Sequence, residues 1–203
     1  MKILKFNYIL FATLLIGSGL ASCSSVPVQE NPPLAVVAHV DQKKYLGKWY
    51  EIARYPHSFE ENCYAVTADY ELLDNGSIQV TNRCREGGLD GKQKEAVGTA
   101  YIVDSQTNAK LEVTFFWPFY GDYWIVDLDE HYQYAVVSEP RRQYLWILSR
   151  TPTMNASLYE KLTAKLKTNG FDLSLLSKTP QIKVTDQNIR DRSADEKQEK
   201  RKL

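Results

Sequence analysis

Between Trp49 and Ser149 apolar and polar residues alternate with a period of two through eight segments of strand length: residues 49–55, 64–72, 78–84, 96–103, 110–116, 123–128, 134–138 and 144–149. Each is rich in the β-branched and aromatic side chains that suit a pleated, half-buried surface. The connections are short. Asp74-Asn75-Gly76-Ser77 is a strong hairpin turn, and Thr107-Asn108 and Asp129-Glu130-His131 are further turn candidates. Eight hairpin-linked strands predict an all-β fold, an up-and-down antiparallel meander that closes on itself and leaves no exposed edge. One helix is expected after them, at residues 155–168, where Leu158, Leu162 and Leu166 share a face and Gly170 stands at the C-cap position. Its stripe must lie against the outside of the barrel. Residues 181–185 are expected to add a short last strand.

Ahead of the strands stand Lys2 and Lys5, an apolar run from Ile9 to Ile16, and Leu20-Ala21-Ser22-Cys23. A charged head, a greasy core too short to span a bilayer and small residues before a cysteine describe an export signal. The stretch resembles a bacterial lipoprotein signal. That resemblance implies a diacylglyceryl group on Cys23, cleavage before it and acylation of the new amino group. Each buried methylene of such chains contributes about 0.8 kcal/mol, so three chains tether the protein almost permanently. Ser24, in place of an aspartate, implies the outer membrane rather than retention at the inner one. The competing reading is an ordinary secretory signal with a chance cysteine.

The resulting organisation is a signal peptide at 1–22, a lipidated N-terminus and Pro-containing spacer at 23–40, a folded domain at 41–185 and a charged, disordered tail at 186–203. The full chain balances 25 basic against 25 acidic residues. Loss of Lys2 and Lys5 leaves it slightly acidic, and nothing points to a nucleic-acid partner. Cys63 and Cys84 remain after Cys23. In an oxidising compartment a disulfide between them is the natural reading, closing a loop of about 20 residues and contributing roughly 3 kcal/mol; the alternative is two free buried thiols.

Gly47-Lys48-Trp49-Tyr50-Glu51 at the first strand, and Arg150 at the end of Tyr144-Leu145-Trp146-Ile147-Leu148-Ser149-Arg150-Thr151-Pro152, resemble the signatures of the lipocalin family across nearly the whole domain. Tyr50-Glu51-Ile52-Ala53-Arg54, Val66-Thr67-Ala68-Asp69-Tyr70 and Phe115-Phe116-Trp117-Pro118-Phe119-Tyr120-Gly121 are similar to its bacterial outer-membrane branch. Leu128-Asp129-Glu130 departs from the usual Thr-Asp-Tyr. The resemblance implies that Gly47, Trp49 and Arg150 form the barrel floor, with the guanidinium over the indole, a contact worth about 0.5–2 kcal/mol. It also implies a role in membrane maintenance under stress.

Alternation puts one parity inside a barrel. With Trp49 and Arg150 inside, so are Glu51, Ala53 and Tyr55, and Tyr144, Trp146 and Leu148. Elsewhere the apolar or small parity gives Val66, Ala68 and Tyr70; Ile78 and Val80; Ala96, Gly98 and Ala100; Val113 and Phe115; Tyr123 and Ile125; Ala135 and Val137. The small members leave the centre unfilled, and a hydrocarbon chain is the natural filler. Tyr55, Tyr70 and Tyr123 are expected near the open end, where their hydroxyls can meet a carboxylate or phosphate head. Glu51 reads as a structural hydrogen-bond acceptor near the floor, since a carboxylate in a greasy cavity needs a partner. The aromatic segment from Phe115 to Gly121 either folds back as a cap or stands out as a partner or membrane contact.

The histidines, His39, His57 and His131, lie apart from one another, and no metal-ligand spacing or nucleotide fingerprint is present. No metal, cofactor or catalytic residue is expected. The reading is a binding protein that carries a fatty acid or lysophospholipid and is held to the membrane by its N-terminal lipid. Its rivals are a lipid-modifying enzyme using the same pocket and a tethered scaffold with a filled core. Oligomeric state, a homodimer included, is left open.

Overall fold

The computed structural model of the chain describes residues 32–182. Cys23, the signal sequence, the charged tail and residues 183–185 of the expected last strand therefore lie outside the described residues. The elements run α1 (Gln42–Tyr45), β1 (Gly47–Arg54), β2 (Cys63–Leu72), β3 (Ile78–Glu86), β4 (Gln93–Ile102), β5 (Lys110–Phe116), β6 (Phe119–Leu128), β7 (Tyr134–Ser138), β8 (Leu145–Ser149), α2 (Ala156–Thr168) and β9 (Ser177–Lys178). Each strand from β1 to β8 pairs antiparallel with the next, and β8 returns to β1. The barrel is closed, as the eight alternating segments predict.

Local chemistry sets the hairpins. Asn75 Oδ1 accepts hydrogen bonds from the backbone N–H and the hydroxyl of Ser77 at 3.0 and 2.7 Å, while Gly76 takes φ +82°, which a Cβ would oppose. Asp129 accepts from the N–H groups of His131 and Gln133 in the β6–β7 turn. Cys63 and Cys84 are bridged, joining β2 to β3.

Strand β1 holds the decisive irregularity. Its register against β8 slips between Glu51 and Ala53, so Glu51 stands opposite Leu148 whereas Ala53 faces Ile147 and Arg54 faces Trp146. A bulge of this kind reverses the alternation. Beyond it Ala53 and Tyr55 point outward and pack with Leu145, Ile147, Leu162, Leu166 and Phe171 beneath α2. The expectation that Ala53 and Tyr55 line the interior is corrected by this slip. Arg54 takes the inward place.

Helix α2 covers that outer layer. Asn155 caps it by accepting from the N–H of Ser157, and it ends where Gly170 adopts φ +81° and the Phe171 N–H reaches back to the Leu166 carbonyl. The chain then lays a strap along β1. Among the described residues the short last strand is Ser177–Lys178; residues 181 and 182, the described part of the strand expected at 181–185, are not in a strand, and Gln181 Nε2 donates to the carbonyls of Glu51 and Val66. Those carbonyls belong to β1 and β2 where the two strands diverge, past the Tyr50–Thr67 pair. The strap thus satisfies backbone groups that ladder pairing leaves open.

The packed domain also begins before Asp41. Leu34 and Val40 are buried, and the N–H groups of Val37 and Val40 donate to the carbonyls of Ile125 and Thr107. Residues 32–40 therefore lie on the barrel instead of forming the last part of a free spacer.

Candidate ligand cavity and its rim

The two halves of the barrel interior differ. At the closed end Trp49 is fully buried, its indole N–H donates to the Tyr45 carbonyl at 2.8 Å, and the Arg150 guanidinium lies 3.8 Å over its ring. Arg150 donates onward to the carbonyls of Tyr132, Lys48, Lys44 and Tyr45. Gly47, at φ +85°, brings its Cα beside that guanidinium. The expected floor of Gly47, Trp49 and Arg150 is thus in place, with α1 as an additional plug that four residues of sequence gave no period to reveal.

Above the floor, Ile78, Ala100, Ile125, Ala135 and Val137 pack with Tyr45 and Trp49 into one core. They face inward as expected but do not belong to the wall of the cavity beyond them. The N-terminal segment and α1 fill the volume that Ala100 and Ala135 leave. Gly98 also faces inward without reaching the cavity: a Cβ there would stand 2.6 Å from the Thr114 carbonyl oxygen and 2.8 Å from the Phe115 ring, so glycine lets that ring lie against β4.

The open half is hollow. A cavity of about 850 Å³ is walled by Val66, Ala68, Tyr70, Val80, Ala96, Val113, Phe115, Tyr123, Trp146 and Leu148, all assigned inward by alternation. Tyr144 is the exception on its strand; it precedes β8 and stacks on Trp146 at 5.9 Å at the rim. Tyr70 and Tyr123 form the cavity floor rather than its mouth. Tyr70 lies on β2 opposite Gly47, and both phenols bond in a chain, Tyr70 Oη to Tyr123 Oη and Tyr123 Oη to Tyr45 Oη, each at 2.8 Å. Burial pushes all three phenols up, so they stay neutral. Tyr55 sits under α2, its hydroxyl without a hydrogen-bond partner among the described residues.

A polar cluster interrupts the apolar wall. Glu51 Oε1 accepts from Arg54 at 2.7 Å and from the Thr179 hydroxyl of the strap, so it is the hydrogen-bond acceptor expected, but on the cavity wall and not at the floor. Arg54 Nε lies 3.6 Å from Glu60 Oε2, and His57 Nε2 lies 3.4 Å from that oxygen. Burial, then the nearby Glu51 carboxyl, push Glu60 up to about 8 against a weaker pull from Arg54 and the Trp146 indole. Burial and Arg54 push His57 down to about 4. Arg54 Nε, both His57 ring nitrogens and Glu60 Oε2 have no hydrogen-bond partner among the described residues. Alternation could not place these three: Arg54 turns inward through the bulge, and His57 and Glu60 sit in a connection. A double apolar step, Ile52-Ala53, followed by an arginine was the available signal.

The β5–β6 hairpin stands at the same mouth. Phe116, Trp117 and Phe119 are 75%, 76% and 70% exposed, and Phe59, from the β1–β2 connection, is 64% exposed. Phe115, Phe116, Phe119 and Tyr120 also contribute to the cavity wall. The segment is therefore a rim and not a cap. Of the two settings open to it in the sequence, the exposed one is realised. Among the described residues no group of three His, Cys, Asp or Glu side chains gathers as a metal site.

The family described as Lipocalin-like domain matches residues 40–181. The chain is 44% identical over 158 residues to the outer membrane lipoprotein Blc of Vibrio cholerae, covering 77% of this chain and 90% of that protein. It is 43% identical over 155 residues to outer membrane lipoprotein Blc of Escherichia coli strain K12, covering 75% and 85%. Among solved structures it is similar to insecticyanin from the tobacco hornworm Manduca sexta, with a TM-score of 0.60 at 20% identity, covering 77% of this chain and 87% of that one.

Proposed function

The chain belongs to the lipocalin family, and on that premise we propose that it is an outer-membrane lipoprotein that carries or stores one fatty acid or lysophospholipid in its barrel. The observation that carries this reading is the cavity: about 850 Å³, apolar on most of its wall, and open at one end. That volume falls in the range of roughly 300–1,000 Å³ that small-molecule pockets occupy. An acyl chain moving from water into it gains about 0.8 kcal/mol per methylene, less the cost of ordering chain and protein. No covalent step is needed. Binding rather than turnover is what a greasy sleeve with a hydrogen-bonded phenol floor does best.

The tail points down, toward Tyr70 and Tyr123, and the head stays at the mouth among Glu51, Glu60 and Asn82. The exposed aromatic rim meets the membrane surface, so a lipid enters without crossing water, and the lipid on Cys23 keeps the barrel near its source. Large amphipathic rings favour the water–bilayer boundary. Membrane maintenance under stress is the setting such a carrier suits.

Native mass spectrometry of the full chain carrying Cys23→Ala, followed by lipid extraction, tests the reading. One acyl lipid per chain is expected. Ala68→Trp fills the cavity from its wall and should reduce bound lipid at least tenfold, because the tail loses the space for several methylenes. A lipid-free barrel, or unchanged stoichiometry in Ala68→Trp, would overturn the carrier.

A further inference from the structure

Two carboxyl groups and one guanidinium meet on the cavity wall. Arg54 is committed to the Glu51 carboxyl at 2.7 Å and to the Glu60 backbone carbonyl at 2.8 Å, and only approaches the Glu60 carboxyl, at 3.6 Å. The other cations lining the mouth are engaged: Arg83 with Asp69 and Glu95 at 2.8 and 2.7 Å, and Lys94 with Glu86. The groups facing Glu60 are Glu51 and Arg54 from β1, His57 in its own connection, Trp146 from β8 and, deeper, Tyr70 from β2. Its side chain is 12% exposed and that of His57 4%, with both ring nitrogens of the histidine lacking a hydrogen-bond partner among the described residues. A buried cluster with two carboxyls and one fixed cation is one positive charge short, and the cheapest remedy is a proton. That is why Glu60 holds one at neutral pH, being pushed up to about 8.

A proton is not the sole cation that fits. Phe59 and Trp146 line the cavity beside Glu60, and ring faces together with carboxylates are what an alkylammonium group recognises. The two rings flank His57, at 3.7 and 5.4 Å between centroids, so an aromatic wall stands next to the acid. From this geometry we infer that Glu60, with Glu51, Phe59 and Trp146, forms a head-group site for an amphiphile bearing an ammonium group, which enters in exchange for the Glu60 proton. The carboxyl O–H bond breaks, the proton passes to bulk water, and an ammonium N–H···O contact replaces it. Nothing is oxidised or reduced. The inference rests on the carrier reading: the acyl tail supplies affinity, and the cluster chooses the head.

The test compares two probes of equal chain length, palmitate and 16:0 lysophosphatidylethanolamine, by calorimetry at pH 7 in two buffers of different ionisation enthalpy, using the full chain with Cys23→Ala. Release of close to one proton is expected with the ethanolamine lipid and none with palmitate. Affinity for the ethanolamine lipid should rise with pH and level off above about 8. Glu60→Gln should abolish the release and weaken that lipid roughly tenfold or more, well beyond any change for palmitate, while a cooperative urea transition reports that the variant is folded. Equal proton counts for the two lipids in the unsubstituted cluster, or a release that survives Glu60→Gln, would overturn the exchange while the carrier stands. If neither lipid binds, the carrier reading fails and the inference falls with it.

Discussion

Each end of the barrel has an inward-facing arginine beside a tryptophan, and the two are used in opposite ways. Arg150 at the closed end spends its donors on four backbone carbonyls and its face on the Trp49 indole. Arg54 at the open end faces Trp146 of β8, bonds the Glu51 carboxyl and a single backbone carbonyl, that of Glu60, and leaves Nε unpartnered among the described residues, 3.6 Å from the Glu60 carboxyl. Polar groups satisfied by the chain itself make a fixed plug. Polar groups left short of partners, on the wall of a hollow, make a place for a partner that is not part of the chain.

The sharpest way to break this contrast is to remove the tryptophan at each end in turn. Trp49 is wholly enclosed, so Trp49→Ala should cost about 3–5 kcal/mol, the range for emptying a packed aromatic site. Trp146 borders the cavity and is half-buried, so Trp146→Ala without lipid should cost about 1 kcal/mol, the centre of the distribution for point changes. Urea midpoints at constant slope measure both. Equal losses would mean that the open end is as much a structural core as the closed one.

A smaller effect separates the ends by pH. The folded Glu60 carboxyl is raised from 4.5 to about 8, so its contribution to the stability of the lipid-free protein is fully present below 4.5 and is lost as pH rises through 8. His57 is lowered from 6.5 to about 4; its contribution is present above 6.5 and is lost as pH falls toward 4. Chemical denaturation from pH 4 to 9 should therefore show an alkaline decline that Glu60→Gln flattens. An unchanged alkaline limb in that variant would return Glu60 to an ordinary, solvated acid.

Much of this contrast was readable in the chain, and the unreadable part has physical causes. Alternation located the strands and the inward parity of Val66, Ala68, Val80, Val113 and Leu148, because period two follows from the pleat alone. It misplaced Ala53 and Tyr55, because one extra residue between Glu51 and Ala53 flips every side chain beyond it and leaves only the double apolar step Ile52-Ala53 in the pattern. Depth along the barrel was out of reach as well. Whether Tyr70 and Tyr123 stand at mouth or floor depends on strand stagger, and the hydroxyl chain through Tyr45 exists only once α1 has plugged the end. Leu34, Val37 and Val40 were apolar residues in a stretch read as spacer from its prolines; their packing needed the layer under α2 that receives Leu34 and the closed end of the barrel that receives Val37 and Val40.

The smallest expected effect on stability belongs to the rim, and its smallness is the point. Phe116 and Trp117 are three-quarters exposed, so they contribute little to the fold, and Phe116→Ser with Trp117→Ser should shift unfolding by no more than about 0.5 kcal/mol. If those rings instead enter the boundary of a bilayer, the same pair should lower partition onto phosphatidylethanolamine–phosphatidylglycerol vesicles roughly tenfold in the Cys23→Ala protein, since each ring forfeits apolar burial there. Vesicle sedimentation reads the second number while urea titration reads the first. A large stability loss would make the hairpin part of the core, and unchanged partition would detach it from the membrane. Only the split, little stability and much partition, is what a surface built to face lipid predicts, and it is the mirror of the closed end, where every large ring is already paid for by the protein's own packing.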